Sequence, residues 1–221
     1  MNRAVIIMAK VPTVGTVKTR LQSILSPEEC AGLAAAFLYD AVIKTKLVCD
    51  NVILAYAPAG QKNLLENLIP SEIVLIQQAG ENLGERMANA FEFAFCKYSP
   101  VVMIGTDSPT FPAEYISDAF TALESDADIV LGKARDGGFY LIGLRAPIPN
   151  LFDEIAWSSP AVFEQLTRNI KDLGVTKLKL IPEHYDVDTP DDFSVMKAEI
   201  LGDDKLQKTA EKTYRWLLEN G

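Results

Sequence analysis

The chain has 221 residues, 48% hydrophobic and 23% charged, enough to bury the core of one ordinary α/β domain. Its 30 acidic residues outnumber 21 basic ones for a formal net charge of -9, which disfavours non-specific binding to nucleic acid or anionic membrane, so any phosphate must meet a local basic site. A single histidine, His184, excludes His-rich zinc sites and leaves a Ser-His-Asp triad only one imidazole to use.

Short apolar runs alternate with amphipathic stretches, the pattern of a mostly parallel sheet with helices on both faces. Strands are predicted at residues 4–8, 52–57, 73–76, 101–104, 129–132, 140–144 and 178–181. Between them, Ser26-Pro27-Glu28-Glu29 is a capping box with proline at the first helical position, opening a helix to about Val48. Residues 81–98 carry Leu83, Met87, Ala90, Phe91, Ala94 and Phe95 on one helical face. Further helices are predicted from near Pro112, Pro160 and Thr189. Residues 203–220 read as a charged helical appendage that packs on the domain or on a second copy in a homodimer. No repeat, low-complexity stretch or Gly/Ser linker divides residues 1–221 into two domains. The N-terminal apolar run is too short for a signal sequence, and no run is long enough to span a bilayer. Cys30, Cys49 and Cys96 are odd in number and widely spaced, so a reducing cytoplasm is expected.

Five segments carry candidate chemistry. Lys10, Gly15, Lys18 and Arg20 follow the first strand, where open α/β sheets bind ligands; glycine permits close backbone approach and the cations suit a phosphate. Neither a Walker A loop nor a dinucleotide fingerprint is present, and a solvated basic turn is the alternative. Asp107 ends an apolar strand and is followed by Ser108-Pro109; it either offers oxygen to Mg2+ or Mn2+ or caps the next turn. Asp136-Gly137-Gly138 precedes another strand and serves a tight hairpin or an opened backbone beneath an acceptor, with Trp157 as a wall or a core residue. In His184-Tyr185-Asp186-Val187-Asp188-Thr189-Pro190, helix initiation accounts for Thr189 and Pro190 but not for Asp186 and Asp188, which alternate along an extended chain and suit the second half of a metal site. His184 is read as a surface or supporting residue. Gln78, Asn82, Gly84 and Arg86 lie where a strand end meets a helix start, suiting a base or phosphate, or ordinary loop chemistry.

Together these segments resemble the GT-A-type nucleotide-diphospho-sugar transferase superfamily, and within it a bacterial glycosyltransferase-like family. The resemblance rests on the opening Ala9-Lys10-Val11-Pro12-Thr13-Val14-Gly15-Thr16-Val17-Lys18-Thr19-Arg20-Leu21, then Asn82-Leu83-Gly84-Glu85-Arg86-Met87, Gly105-Thr106-Asp107-Ser108-Pro109, Asp136-Gly137-Gly138-Phe139-Tyr140 and Asp186-Val187-Asp188-Thr189-Pro190, in that order. It implies a three-layer Rossmann-like GT-A sheet. It further implies nucleotide binding through Ala9, Lys10, Gly15, Lys18, Arg20, Gln78, Asn82, Gly84, Arg86, Thr106 and Asp107. Acceptor contacts are expected from Gly137, Gly138, Tyr140 and Trp157, and Mg2+ or Mn2+ at Asp107 with Asp188 or Asp186. Lys18 and Arg20 are the expected charge-stabilising residues and Asp136 the expected base. Related enzymes attach guanylate or cytidylate to molybdopterin and phospholactate, so the expected substrates are a nucleotide sugar or a nucleoside triphosphate plus a small acceptor. Lys133-Ala134-Arg135 departs from the Gly-Pro-Ala-acid expected before Asp136 and points to an anionic acceptor. A nucleotide-binding protein without catalysis is the remaining alternative.

Overall fold

In the computed structural model, which describes residues 2–220, the strands are β1 (Ala4–Lys10), β2 (Val52–Ala57), β3 (Val74–Gln77), β4 (Val101–Ile104), β5 (Ile129–Ala134), β6 (Phe139–Leu144) and β7 (Leu178–His184). All seven predicted strands are present and share one sheet, in the order β3-β2-β1-β4-β6-β5-β7. Strand β6 alone runs against its neighbours, pairing antiparallel with β4 and β5, so the sheet is mixed and mostly parallel.

The helices are α1 (Pro27–Lys46), α2 (Lys62–Glu66), α3 (Leu83–Phe95), α4 (Glu114–Ser125), α5 (Val162–Asp172), α6 (Pro190–Gly202), α7 (Asp204–Thr209) and α8 (Glu211–Asn220). Capping boxes at Ser26 and Thr189 open α1 and α6. Helix α3 starts later than residue 81 because Asn82 takes the N-cap, its side chain accepting from the Glu85 N–H at 3.0 Å. The short helix α2 has no counterpart among the predicted elements.

Strand alternation divides the core. Val5 and Ile7 face a layer of α1 and α4 residues, among them Leu38, Val42, Ile116 and Phe120, while Ala4 and Ile6 face α3 and α5 through Phe91, Ala94, Leu166 and Ile170. A third cluster joins Leu33 and Phe37 of α1 to Phe193 and Met196 of α6 and Trp216 and Leu217 of α8. The C-terminal segment therefore packs on its own domain. The buried Asp40 carboxylate accepts from the N–H of Lys212 at 2.9 Å and from the N–H and hydroxyl of Thr213 at 2.8 and 2.7 Å, capping α8 from α1. Trp216 covers Gly32 so closely that a Cβ there would lie 2.9 Å from its Nε1. Among the described residues, no helix is long and apolar enough to cross a membrane.

Asp136-Gly137-Gly138 forms a hairpin between β5 and β6. Gly137 sits at φ +92, donates to the Ala134 carbonyl at 3.1 Å, and lies against Pro160, whose carbonyl oxygen would be 2.1 Å from a Cβ there.

Candidate functional site

Chain order makes the site. From β1 the chain moves through β2 to β3 on one side, then returns to β4 on the other side of β1, so the crevice outside the carboxyl ends of β1 and β4 is a topological switch point. The ends of β5 and β7 and the start of the antiparallel β6 open on the same side. All the candidate acids follow these strand ends.

At the end of β1, Lys10 is exposed, and in the loop that follows Gly15 takes φ +79 with no other group within 4 Å of where a Cβ would stand, leaving open space there. Lys18 adopts a left-handed backbone, φ 48 and ψ 38, and turns inward. Its ammonium donates to Asp107, to the Val187 carbonyl at 2.8 Å and to Asp188 Oδ1 at 3.4 Å, with only 5% of the side chain exposed. Burial alone lowers a lysine pKa, but Asp107, Asp188 and Asp186 together outweigh it and hold Lys18 above its ordinary value. Arg20 is exposed at the rim, 3.8 Å from Asp188 Oδ2.

The Val187 N–H donates to the Asp107 carbonyl at 2.8 Å, tying the loop after β4 to the loop after β7. Asp186 accepts from the Ser108 hydroxyl. Burial pushes the Asp186 carboxyl up to about 6; Ser108 opposes that rise, and the fields of Asp107, Asp136 and Asp188 add to it. Asp136 is exposed at the hairpin tip, where its Oδ1 accepts from the Gly138 N–H at 2.9 Å.

Asp107 and Asp188 thus converge on one cationic centre, whereas Asp186 is turned to Ser108. Among the described residues no group of three His, Cys, Asp or Glu side chains gathers to hold a metal ion, and of the two alternatives expected beside Asp107 it is Asp188 that shares its partner. The donors that do converge are oxygens only, two carboxylates around a bound ammonium. That set fits a hard cation that completes its shell with water and substrate phosphate.

Behind this cleft lies a layer that the sequence patterns do not reveal. Lys44 is buried in α1 and donates to the carbonyls of Pro109 and Phe111 at 2.6 and 2.8 Å, bracing the loop that presents Asp107 and Ser108. Burial brings its pKa down to about 8, against the pull of Asp40 and Glu114. The available signal was two charges, Asp40 and Lys44, at helical spacing on the stripe that carries Leu33 and Phe37. His184 stacks on Tyr185 at 4.9 Å and lies 3.1 Å from the Thr110 hydroxyl; burial, then Lys44 and Arg135, lower its pKa to about 4. It is a neutral supporting residue and not a surface one.

Several expected contacts already have partners. The Gln78 amide donates to the carbonyls of Ala9 and Ala55 at 3.2 and 2.8 Å, and Arg86 donates to Gly80 at 3.0 Å. The space over Gly84 is filled by the Phe152 carbonyl and Trp157, both within 2.9 Å of a Cβ placed there. Trp157 is half-buried, with Phe139 and Phe152 against it. Tyr140 is corrected from acceptor contact to core: it is 3% exposed, lies over Gly132, and donates to the Pro182 carbonyl at 2.7 Å. Alternation along β6 turns its ring inward. Lys133 and Arg135 lie 3.6 and 4.0 Å from Glu183, so an acceptor is not the sole partner for these two cations. Thr106 is half-buried beside Asp107, and Gly138 lies beside Asp136.

The fold and this cleft define an α/β protein of the nucleotidyltransferase-like, nucleotide-diphospho-sugar transferase architecture. A family model described as "Uncharacterized protein conserved in bacteria (DUF2064)" matches residues 41–159, more than half of the chain, and the chain belongs to that family. The chain is similar to the 2-phospho-L-lactate guanylyltransferase of Methanothermobacter thermautotrophicus, with 28% identity over 129 residues covering 58% of this chain and 56% of the relative. It thus spans about half the length of that curated relative. Among solved structures, a protein from Desulfovibrio desulfuricans G20, provisionally assigned as a nucleotide-diphospho-sugar transferase, superposes with a TM-score of 0.87 at 26% identity, covering 100% of this chain and 99% of the other. A cytidylyltransferase from Leptospira borgpetersenii shares the fold at a TM-score of 0.60 and 14% identity, over 100% of this chain and 95% of its own. So does Rv0371c of Mycobacterium tuberculosis H37Rv, solved as a manganese complex, at a TM-score of 0.53 and 14% identity, over 88% and 97% of the two chains.

Proposed function

We propose that this chain is a transferase that uses a nucleotide-activated donor, and that its reaction is glycosyl transfer from a nucleotide-diphospho-sugar to a small acceptor. The observation that carries the reading is the buried Lys18 ammonium held by Asp107 and Asp188 at the switch point, three residues after the open Gly15. The full-length likeness to the Desulfovibrio protein supports it. Asp107 and Asp188 are the residues to hold Mg2+ or Mn2+, and the manganese complex of a protein sharing the fold is consistent with that choice. Such a cation, when bound, offsets charge on the departing diphosphate.

The loop at Gly15 receives the phosphates, and Lys18 and Arg20 share the negative charge that develops as the sugar–oxygen bond breaks and its electron pair passes to the diphosphate. The acceptor hydroxyl forms the new bond to the anomeric carbon and gives its proton to Asp136, an exposed carboxylate steadied by the Gly138 N–H. The free, widely spaced cysteines support action in the cytoplasm.

The guanylyltransferase relative favours a second reading, nucleotidyl transfer. There an acceptor phosphate oxygen attacks the α-phosphorus and the bond to the β-phosphate breaks, releasing pyrophosphate. A thermal-shift panel of nucleoside triphosphates, diphosphates and nucleotide sugars with Mg2+, Mn2+ or EDTA, on wild type and Asp107→Ala, separates the two. Metal-dependent stabilisation by a nucleotide sugar that is lost in the variant supports glycosyl transfer. A triphosphate preference supports nucleotidyl transfer, and nucleotide binding indifferent to metal and to Asp107 overturns both.

A further inference from the structure

Resting on the reading above, we infer that Lys18 sets the order of binding: its ammonium is the resident counter-ion of Asp107 and Asp188, and it cedes them to a divalent cation only when the donor's phosphates draw it away. Three observations lead there. The ammonium does not point to the open loop where phosphate is received; it lies between the two carboxylates and is tied a third time by the Val187 carbonyl. Its backbone is held in the left-handed region that residues with a Cβ avoid, so the inward pose is maintained by those contacts. A destination is also available, since nothing crowds Gly15, three residues upstream.

An ammonium and a divalent cation cannot share one pair of carboxylate oxygens, because like charges at contact distance repel strongly inside a cleft. While Lys18 is inward, a metal alone meets a site already neutralised. A polyphosphate on the Gly15 loop gives Lys18 a better anionic partner and frees the carboxylates. Metal and phosphate then assist each other's binding through one side chain, and by linkage the assistance is reciprocal. The device keeps the acids from trapping free metal before a donor arrives.

The test reads Mn2+ alone, from the paramagnetic resonance signal of the free ion, against wild type, Lys18→Met and Lys18→Met/Asp107→Asn. Lys18→Met is expected to bind Mn2+ about tenfold more tightly than wild type, within the usual range of site-to-site coupling, and the added Asp107→Asn to abolish that gain. In wild type, Mn2+ with inorganic pyrophosphate raises the melting temperature where Mn2+ alone does not. If wild type takes up Mn2+ alone as tightly as Lys18→Met, the binding order is overturned while the proposed metal site stands. If no form binds Mn2+, with or without pyrophosphate, the metal site itself falls. Should Lys18→Met fail to fold, Lys18→Gln removes the charge while keeping a polar head and is read against the same outcomes.

Discussion

Replacing Asp186 by asparagine is expected to stabilise the protein at neutral and alkaline pH, although the residue sits in the candidate site. Burial and three neighbouring carboxylates raise its pKa from 3.8 to about 6, against the Ser108 hydrogen bond. The native state therefore holds this proton more tightly than the unfolded chain. The stability it contributes is fully present below about pH 4 and is lost as pH rises through about 6. At about 1.4 kcal/mol for each tenfold change in proton affinity, the full difference amounts to about 3 kcal/mol. Part of this is returned, because Asp186 also helps to hold the Lys18 charge, so about 1–3 kcal/mol is the expected gain. Asparagine keeps an oxygen for Ser108 and does not ionise. Urea denaturation of both forms in EDTA at pH 4.5 and pH 8 reads the effect as a midpoint shift of about 0.5–1 M at pH 8 that shrinks to about a third of that at pH 4.5. A gap equal at the two pH values, or a variant less stable at pH 8, refutes the electrostatic account.

Three other substitutions test the frame around the site. Asp40→Ala removes the acceptor shared by the Lys212 and Thr213 N–H groups and the Thr213 hydroxyl; a loss of about 2 kcal/mol is expected, with amide exchange rising selectively in α8. Gly137→Ala places a methyl 2.1 Å from the Pro160 carbonyl oxygen at a positive φ. A cost of about 2 kcal/mol, or a melting temperature lower by about 4–8 °C, is expected, and the Phe163 amide that donates to Gly137 should lose exchange protection. Lys44→Met leaves the Pro109 and Phe111 carbonyls without their donor, at an expected cost of about 1–3 kcal/mol. Because its native pKa is lowered to about 8, the native state holds fewer protons than the unfolded chain between about 8 and 10.5. Wild-type stability should therefore rise relative to Lys44→Met across that window, as checked by chemical denaturation at pH 7.5 and 10.

Sequence alone determined the seven strands, the capping box at Ser26, the helix start at Thr189 and the order of the cleft segments, because these depend on local periodicity and on turn and cap chemistry. The segments following strand ends that carry Lys18, Asp107, Asp136 and Asp186 were legible for the same reason, most plainly at Asp107, which follows a wholly buried apolar run. Tertiary structure alone decided how those residues are arranged. Motif order in the chain contains nothing to say that Lys18 turns inward between Asp107 and Asp188, that Asp186 is taken by Ser108, or that Tyr140 faces the core. Asp-Gly-Gly was compatible with a hairpin and with an opened acceptor floor, and only the antiparallel pairing of β5 with β6 shows that it forms a hairpin. Lys44 and Asp40 lay hidden because a charge on a helix is ordinarily solvated; the loop at Pro109 and the start of α8, distant in sequence, supply the backbone groups that let each be buried. Hydrogen-bond satisfaction over long sequence separations is a property of the folded chain, and no local window contains it.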